Sequence, residues 1–555
     1  MFYPEIIQQL KKKKYSPRQL AKLKRDLALK YRFKKIPTNI EILLHSSTKD
    51  LDLLKKKLLT KPTRTISGVA PVAIMTKPHQ CPHAKLGGPC LMCPGGLKSP
   101  FGDVPQSYTG KEPATMRGIR NKYDSYLQVF NRLEQYVLLG HNIEKVELII
   151  MGGTFPSLPI KYQDEFIWGA FKAMNDFSKL FFKGNEFNFG KFKKFFELPV
   201  EDLGDQERIK RIHSKLLKLK GEFTPEALLK EQVRNEKAKI RGIALCIETR
   251  PDYCLEKEIK QMLKLGCTRV ELGVQHLDDS VLKRINRGHE VKETILATKL
   301  MKNSLLKVGY HVMPGLPKSS YVKDKQMMLQ LFKDSNFRPD ALKLYPCMVT
   351  KGTKLYDLYQ KGNYKPLDTE KAAKLITWFK EKIPEYCRLM RVQRDIPTYQ
   401  TIAGVSMTNL RQYIHQKFKP RCRCIRCREP KGKKIDFRKV KIKVKKYLAS
   451  KGTEYFISAE ENDLLLGFCR LRIYEDQAGI RELHVYGTAT GIGEKGNIQH
   501  KGLGKKLLKT AEEIVKNEGI KKIFVISGIG VKGYYTKLGY QKDGVYMVKT
   551  FKENK

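Results

Sequence analysis

The chain has 555 residues, with 108 Lys and Arg against 57 Asp and Glu, a formal charge of +51. That length holds more than one hydrophobic core, and that charge suits a polyanionic partner, nucleic acid first. No apolar run approaches the ~18 residues of a membrane span, and the opening "MFYPEIIQQLKKKK" lacks a signal-peptide core, so a cytoplasmic setting is expected. There, 12 cysteines point to metal or redox chemistry rather than disulfides.

Residues 1–60 read as basic and helical. Ser16-Pro17 opens a helix with Leu20, Leu23, Leu27 and Tyr31 on one face, flanked by Lys22, Lys24, Arg25 and Lys30. With the quartet Lys11 to Lys14, the segment is expected to be a polyanion-binding arm; a solvated helix surface is the plainer alternative. From about Val69 to Pro346 a short apolar run, a polar or Gly-rich motif and a helical stretch recur. The runs are "VELIIM" (146–151), "GIALCIE" (242–248), "RVELGV" (269–274), "VGYHVM" (308–313) and "ALKLYP" (341–346). Site-like residues follow them: "GGT", "TRPDY", "QH", "PGLP" and "CM". Strands alternating with helices predict a parallel sheet, and site residues at strand ends predict a barrel or partial barrel. The Lys- and Phe-rich piece 173–221 breaks this rhythm and reads as an outside elaboration. "CRCIRC" (422–427) then precedes a second α/β unit. Its strands are "EYFISA" (454–459), "LLLGFCRLRI" (464–473), "RELHVYG" (481–487) and "KIFVIS" (522–527), with a helix from about Leu503 that spaces Leu507, Ala511 and Ile514 on one face.

The stretch "CPHAKLGGPCLMCPGG" gathers Cys81, Cys90 and Cys93 within thirteen residues. A structural zinc closes its tetrahedron with four ligands. A cubane of four irons and four sulfides has four corners, so three thiolates hold three irons and leave the fourth open to a small molecule. Gly87, Gly88, Gly95 and Gly96 let the loop wrap such a cube. Zinc with His83 as fourth ligand is the alternative.

This loop, followed by a strand and Gly152, Gly153 and Thr154, resembles the radical S-adenosylmethionine (SAM) enzymes, although the Cys81–Cys90 gap exceeds their usual three-residue spacing. "QSYTGKEPATMRG" (106–118), "VELIIMGGTF" (146–155), "IETRPDYC" (247–254), "RVELGVQ" (269–275), "NRGH" (286–289), "MPGLP" (313–317), "LKLYP" (342–346) and "RVQRDIP" (391–397) together resemble the catalytic subunit of Elongator. So do "RELHVYG" (481–487), "QHKGLG" (499–504) and "YYTKLGY" (534–540). The resemblance implies an α/β fold: a radical SAM partial (β/α) barrel followed by a GNAT acetyltransferase domain. The expected boundaries are 1–60 for the basic arm, 61–400 for the barrel, 401–435 for a zinc-binding linker and 436–555 for the GNAT domain.

In "QHKGLG", Gly502 and Gly504 let backbone N–H groups converge at a helix N-terminus, a cradle for pyrophosphate. By resemblance to GNAT enzymes, Glu482, Leu483, His484 and Val485 hold the acetyl and pantetheine part of acetyl-CoA. Ile498, Gln499, His500 and Gly502 to Lys505 hold the pyrophosphate region. Tyr534 and Tyr535 lie near the thioester, where a hydroxyl protonates the leaving thiolate; core packing is the alternative for the pair. Lys145 is implied to reach acetyl-CoA from the barrel side. The sequence departs from the eukaryotic pattern at "CRCIRCRE" (422–429) and at Cys347. Cys422, Cys424 and Cys427 are therefore expected to bind zinc, with Cys347 as first choice for the fourth ligand, His415 as second, and buried free thiols as the alternative.

The implied activity is modification of C5 of the wobble uridine in tRNA. A SAM-derived radical takes a hydrogen from the methyl of acetyl-CoA, the carbon radical adds to the uridine, and thioester hydrolysis leaves a carboxymethyl group. The implied cofactors are a 4Fe-4S cluster, SAM, acetyl-CoA and zinc. The implied partners are tRNA and an external electron donor, without other Elongator subunits. The competing readings are a protein lysine acetyltransferase, which leaves the cysteine loop idle, and a tRNA-binding module without turnover.

Overall fold

The computed structural model describes residues 2–47, 49–83, 87–200, 205–487 and 502–551. Its N-terminal segment forms α1 (Phe2–Lys12), α2 (Pro17–Lys30), α3 (Asn39–Leu44) and α4 (Leu51–Leu58). Ser16 begins α2 with a capping box: its Oγ accepts from Gln19 N–H at 3.3 Å, and Gln19 Oε1 accepts from Ser16 N–H at 2.8 Å. One face of α1 carries Phe2, Ile6 and Leu10, all buried in the main core with Leu27, Leu54 and Leu58. Lys57 on α4 reaches back to the carbonyls that end α1, including Lys13 O at 3.2 Å. The segment is thus not a loose arm but a packed helical cap, which leaves Lys11 to Lys14 exposed at its end.

Seven parallel strands follow in chain order: β1 (Ala70–Met75), β2 (Lys145–Met151), β3 (Arg241–Thr249), β4 (Arg269–Gln275), β5 (Lys307–Val312), β6 (Ala341–Leu344) and β7 (Arg388–Arg391). Each pairs with its chain neighbours, and among the described residues no ladder closes β7 onto β1. The result is a half-barrel. Six of the seven residues of β4 are buried, because helices cover the outside and charged side chains fill the inside. The Phe-rich piece is only partly an elaboration: its start lies within α5 (Ile160–Phe181), the covering helix that follows β2. Beyond it, Phe192 and Phe196 pack on Phe177 and Phe181 and continue the core.

A second sheet contains β8 (Lys441–Ala449), β9 (Gly452–Glu461), β10 (Leu464–Tyr474), β11 (Gln477–Val485), β12 (Lys522–Ile526), β13 (Gln541–Asp543) and β14 (Tyr546–Thr550), in the order β8-β9-β10-β11-β12-β14-β13. The strands β11 and β12 are parallel but pair only at Ala478–Ile480 with Ile523–Val525. Beyond that point β11 runs free of β12. Helix α6 (Leu503–Asn517) covers this sheet through Leu507, Leu508, Ala511 and Val515.

Charge joins the two sheets. A bulge in β11 leaves Arg481 as an extra residue, because Arg470 pairs with Glu482 while Leu471 pairs with Ile480. Arg481 is fully buried and donates to both oxygens of Asp340, at 2.8 and 2.7 Å, just before β6 of the barrel. It also bonds Glu454 of its own sheet at 2.8 Å. Nearby, Lys307 on β5 pairs with Glu482 at 2.5 Å, and Glu482 accepts from Arg470 at 2.9 Å. Next to this network the turn Ile529–Val531 lies on the start of β3. A Cβ on Gly528 would stand 2.0 Å from Ile243 O, so only glycine permits that approach.

Candidate active site

Inside the barrel lies a cavity of about 600 Å³, lined by Cys81, Cys90, Cys93, Gly153, Thr154 and charged side chains from successive strands. The cysteine loop is held from outside. Asn286 Nδ2 donates to the carbonyls of Gly87 and Gly88, both at 3.0 Å, and of Pro89 at 3.3 Å. Leu91 N–H donates to Ile285 O at 3.0 Å. The "NRGH" segment is therefore the clasp of the loop, a role its sequence did not announce. His83 belongs to the clasp too: its Nε2 bonds Asn286 O at 2.7 Å and its ring lies on Gly288.

The donor set suits thiolates. Gln106 Nε2 lies 3.0 Å from Cys93 Sγ, Ser107 Oγ 3.3 Å from the same sulfur, and Arg287 Nη1 3.7 Å from Cys90 Sγ. Burial and the neighbouring Cys90 raise the Cys93 thiol, a penalty that a bound metal centre would offset. Among the described residues the three sulfurs do not gather to single-ion spacing, whereas those of Cys422, Cys424 and Cys427 lie within 4.8 Å of one another. A cubane spreads its ligands over three irons and needs the wider set; one zinc ion needs the tighter one. With His83 turned to Asn286, the first loop fits a 4Fe-4S cluster better than zinc.

Gly152 and Gly153 follow β2 with φ of 124° and 106°. A Cβ on Gly152 would stand 2.1 Å from Thr76 Oγ1, so Gly152 packs beneath the cavity while Gly153 and Thr154 line it. Deeper in, Glu248, Glu271, His311 and Lys343 meet from β3, β4, β5 and β6. Lys343 Nζ lies 2.9 Å from Glu248 and also contacts Glu271 Oε2, which accepts from His311 Nε2 at 2.9 Å. Burial would raise the Glu271 carboxyl, but Lys343 and Arg269 overcome it and hold the group well below the usual range. Sequence reasoning missed this quartet. A signal was present: charged or imidazole side chains inside four successive apolar runs, Glu248, Arg269 with Glu271, His311 and Lys343.

In the second domain, Gly502 begins α6 with φ of 82°. A Cβ on Gly504 would meet Tyr534 Oη at 3.0 Å and Val485 at 3.8 Å. Tyr534 thus lies over the helix N-terminus beside the free end of β11. Tyr535 is 5% exposed and packs in the core against Tyr540. Leu483 and Val485 rest on that core, whereas Glu482 turns to Lys307 and His484 Nε2 donates to Ser67 O at 3.2 Å. Ile498, Gln499 and His500 lie outside the described residues. Lys145 opens β2 and pairs with Arg241, whose strand end carries the turn at Gly528.

The chain is 45% identical to the tRNA uridine(34) acetyltransferase of Methanocaldococcus infernus, over 92% of this chain and 91% of that protein. It belongs to the tRNA uridine(34) acetyltransferase family. It is also 36% identical to Elongator complex protein 3 of Drosophila melanogaster, over 99% of this chain and 96% of that one. The solved Methanocaldococcus infernus Elp3 with residues 1–46 deleted superposes with a TM-score of 0.68 at 40% identity, covering 88% of this chain and 100% of that one. Family models match in order: ELP3 N-terminal domain at 1–66, Radical SAM superfamily at 187–328, Radical SAM C-terminal domain at 339–420 and Acetyltransferase (GNAT) family at 421–540. These domains imply SAM, a 4Fe-4S cluster and acetyl-CoA, and no helix among the described residues is long and apolar enough to cross a membrane.

One expectation for this family member is corrected. Cys347 does not approach the cysteine triad; it is buried with Val281, Leu282, Ile285 and Leu316 behind the cluster loop. Its N–H bonds Pro314 O at 2.9 Å, and among the described residues the metal-spaced group of Cys422, Cys424 and Cys427 does not include it. His415 is the residue near the triad. Its Nε2 lies 3.1 Å from Lys380 Nζ, which lies 3.7 Å from Cys427 Sγ. Burial and the Lys380 charge push His415 down to about 4, and its Nε2 accepts from Lys380; among the described residues the metal-spaced group holds the three sulfurs without His415.

Proposed function

We propose that this protein builds the carboxymethyl group on C5 of the wobble uridine of tRNA from acetyl-CoA, by a SAM-derived radical. The observation that carries this reading is the pairing of two machineries across one buried ionic seam. The cavity with three thiols has no task in plain acyl transfer, and the α6 terminus with Tyr534 has none in a radical enzyme that lacks an acyl donor. Cys81, Cys90 and Cys93 would hold the cluster, which would supply the electron for reductive cleavage of SAM. Gln106, Ser107 and Arg287 hold the ligating thiolates, and Gly153 and Thr154 shape the wall where SAM would lie. In the second domain, Gly502 to Lys505 would hold the pyrophosphate of acetyl-CoA, with Tyr534 and Lys145 at the seam. A flipped anticodon base enters the cavity, whose wall carries Arg64, Arg117, Arg132 and Arg394. The exposed lysines at the end of α1 contact phosphate.

The enzyme takes electrons from an external donor and works in the cytoplasm without other Elongator subunits. A zinc ion on Cys422, Cys424, Cys427 and His415 would brace the two sheets, since Ile425 N–H bonds Cys387 O at 3.0 Å next to β7 and Arg428 bonds Glu460 of β9 at 2.7 Å.

The test is mass spectrometry of tRNA treated with protein, reductant, SAM and methyl-deuterated acetyl-CoA. Deuterium should appear in 5′-deoxyadenosine and carboxymethyluridine in the tRNA. Cys93→Ala should abolish both and keep acetyl-CoA binding. Gly504→Glu should lose acetyl-CoA binding and keep SAM binding, because its side chain enters the cradle against Tyr534. Modified tRNA made at the normal rate by Cys93→Ala would return the protein to plain acyl transfer.

A further inference from the structure

The proposed reaction uses two adjacent atoms of one acetyl group. Its methyl carbon loses a hydrogen and joins the uridine; its carbonyl carbon must afterwards be freed from sulfur. Because the two carbons are bonded to each other, the thioester lies inside the barrel cavity when its hydrolysis is due. The base that activates water therefore belongs to the barrel, not to the Tyr534 side.

The carboxylates of the cavity are otherwise engaged. Glu112 accepts from Thr109 and Thr115, Asp395 pairs with Arg391, and Glu248 pairs with Lys343. Among the described lining residues, His311 is the one imidazole. It stands on β5 with 15% of its side chain exposed, and its ring meets the Tyr345 ring edge-on at 5.4 Å. Glu271 is ionised and only accepts, so His311 Nε2 carries the proton and Nδ1 presents a lone pair. Among the described residues Nδ1 has no hydrogen-bond partner. Glu248, Glu271 and His311 stand within 4.8 Å of one another, as metal ligands would, but the Lys343 ammonium already lies between the two carboxylates. This arrangement handles protons.

We propose that His311 is the general base, and then the general acid, for hydrolysis of the thioester, with Glu271 as its positioning residue. The assignment rests on the proposed function. Nδ1 takes a proton from water as the water oxygen bonds to the carbonyl carbon. The C–S bond then breaks, and the imidazolium returns the proton to the departing thiolate. The products are a carboxylic acid and free coenzyme A thiol, with no electron gained or lost. Burial and Lys343 lower His311 against the opposing pull of Glu271 and Glu248, which keeps it an unprotonated base at neutral pH.

The experiment uses reconstituted full-length His311→Gln with tRNA, SAM, reductant and methyl-deuterated acetyl-CoA, acid-quenched and read as nucleosides by mass spectrometry. Deuterated 5′-deoxyadenosine should form as in the wild type. Carboxymethyluridine should appear about 10²-fold more slowly, and a uridine still linked to coenzyme A through the thioester should accumulate. Glu271→Gln should also accumulate it and shift the pH profile of its release. A second readout needs no turnover: ¹⁵N-histidine spectra of the iron-free wild type should show the Nε2–H tautomer for His311. Wild-type release of carboxymethyluridine by His311→Gln without the linked species overturns the assignment, as does a proton on Nδ1, and the proposed function stands. Absence of deuterium transfer in the wild type overturns the proposed function, and this assignment with it.

Discussion

Removing the carboxylate of Asp340 should loosen the seam between the two sheets more than any single apolar deletion there. Asp340 is fully buried. It takes two N–H bonds from Arg481, at 2.7 and 2.8 Å, and one from Val308 N–H at 2.8 Å, and it faces Arg470 at 3.4 Å. Burial would raise its carboxyl, but Arg481 and Arg470 hold it far below the usual range. A depressed carboxylate contributes stability that is fully present above its unfolded value of roughly 4 and is lost as pH falls through the folded value. At pH 7 the contribution is whole. In Asp340→Ala, Arg481 keeps Glu454, Arg470 keeps Glu482, and Val308 N–H keeps nothing. Stranding buried charge in this way costs about 3–5 kcal/mol, a factor of 10² or more in the folded ratio. Urea unfolding of Asp340→Ala, Arg481→Met and the double variant at pH 7 measures it. The double variant should lose less than the sum, because the second change removes the charge stranded by the first. A cost of Asp340→Ala below about 1 kcal/mol, or strict additivity, would refute the reasoning.

Anaerobically reconstituted protein should carry about four irons, and Cys90→Ala should lose them while any zinc stays, since the zinc site proposed above uses Cys422, Cys424, Cys427 and His415; equal iron in the variant defeats the cluster proposal. Lys12, Lys13 and Lys14→Gln should weaken tRNA binding and flatten the slope of log K against log salt by about 2. Charge neutralisation there is a fairer test than truncation, which would also remove the buried Phe2, Ile6 and Leu10. Unchanged affinity and slope would make the quartet a solvated surface.

The barrel was legible because its inner strands read as short apolar runs, and β4 and β6 are buried on both faces. The runs at 146–151, 242–248, 269–274, 308–313 and 341–346 overlap β2, β3, β4, β5 and β6. The terminal strands were harder: β1 and β7 are edges, and β7 reads "RLMR". Strand β8 was missed because Lys441, Lys443, Lys445 and Lys446 hide its alternation, a charge load that suits an exposed edge. The cysteine loop and the Gly502–Gly504 terminus were legible because their chemistry is local in sequence. The seam was not. Nothing near "RELHVYG" says that Arg481 leaves its ladder at a bulge to meet Asp340, some 140 residues earlier. Cys347 was misplaced for the same reason: a strand end does not say to which side the chain turns.

The long gap in the cysteine loop follows the same logic. Eight residues separate Cys81 from Cys90, against the three usual in the radical SAM enzymes that the loop resembles. Closing the longer loop costs about 1 kcal/mol more in chain entropy by the logarithmic rule. The two protons of the Asn286 side-chain amide are shared among the carbonyls of Gly87, Gly88 and Pro89 and are together worth roughly 1–3 kcal/mol. The clasp therefore offsets the extra length, and Gly87 to Pro89 are placed by a turn about 200 residues later. Arg287 of the same turn reaches Cys90 Sγ and donates to Gly273 O at 2.6 Å on β4. The thiols are thereby referenced to the strand that carries Glu271. The position of Cys90 is thus set by the barrel as well as by the sequence around it.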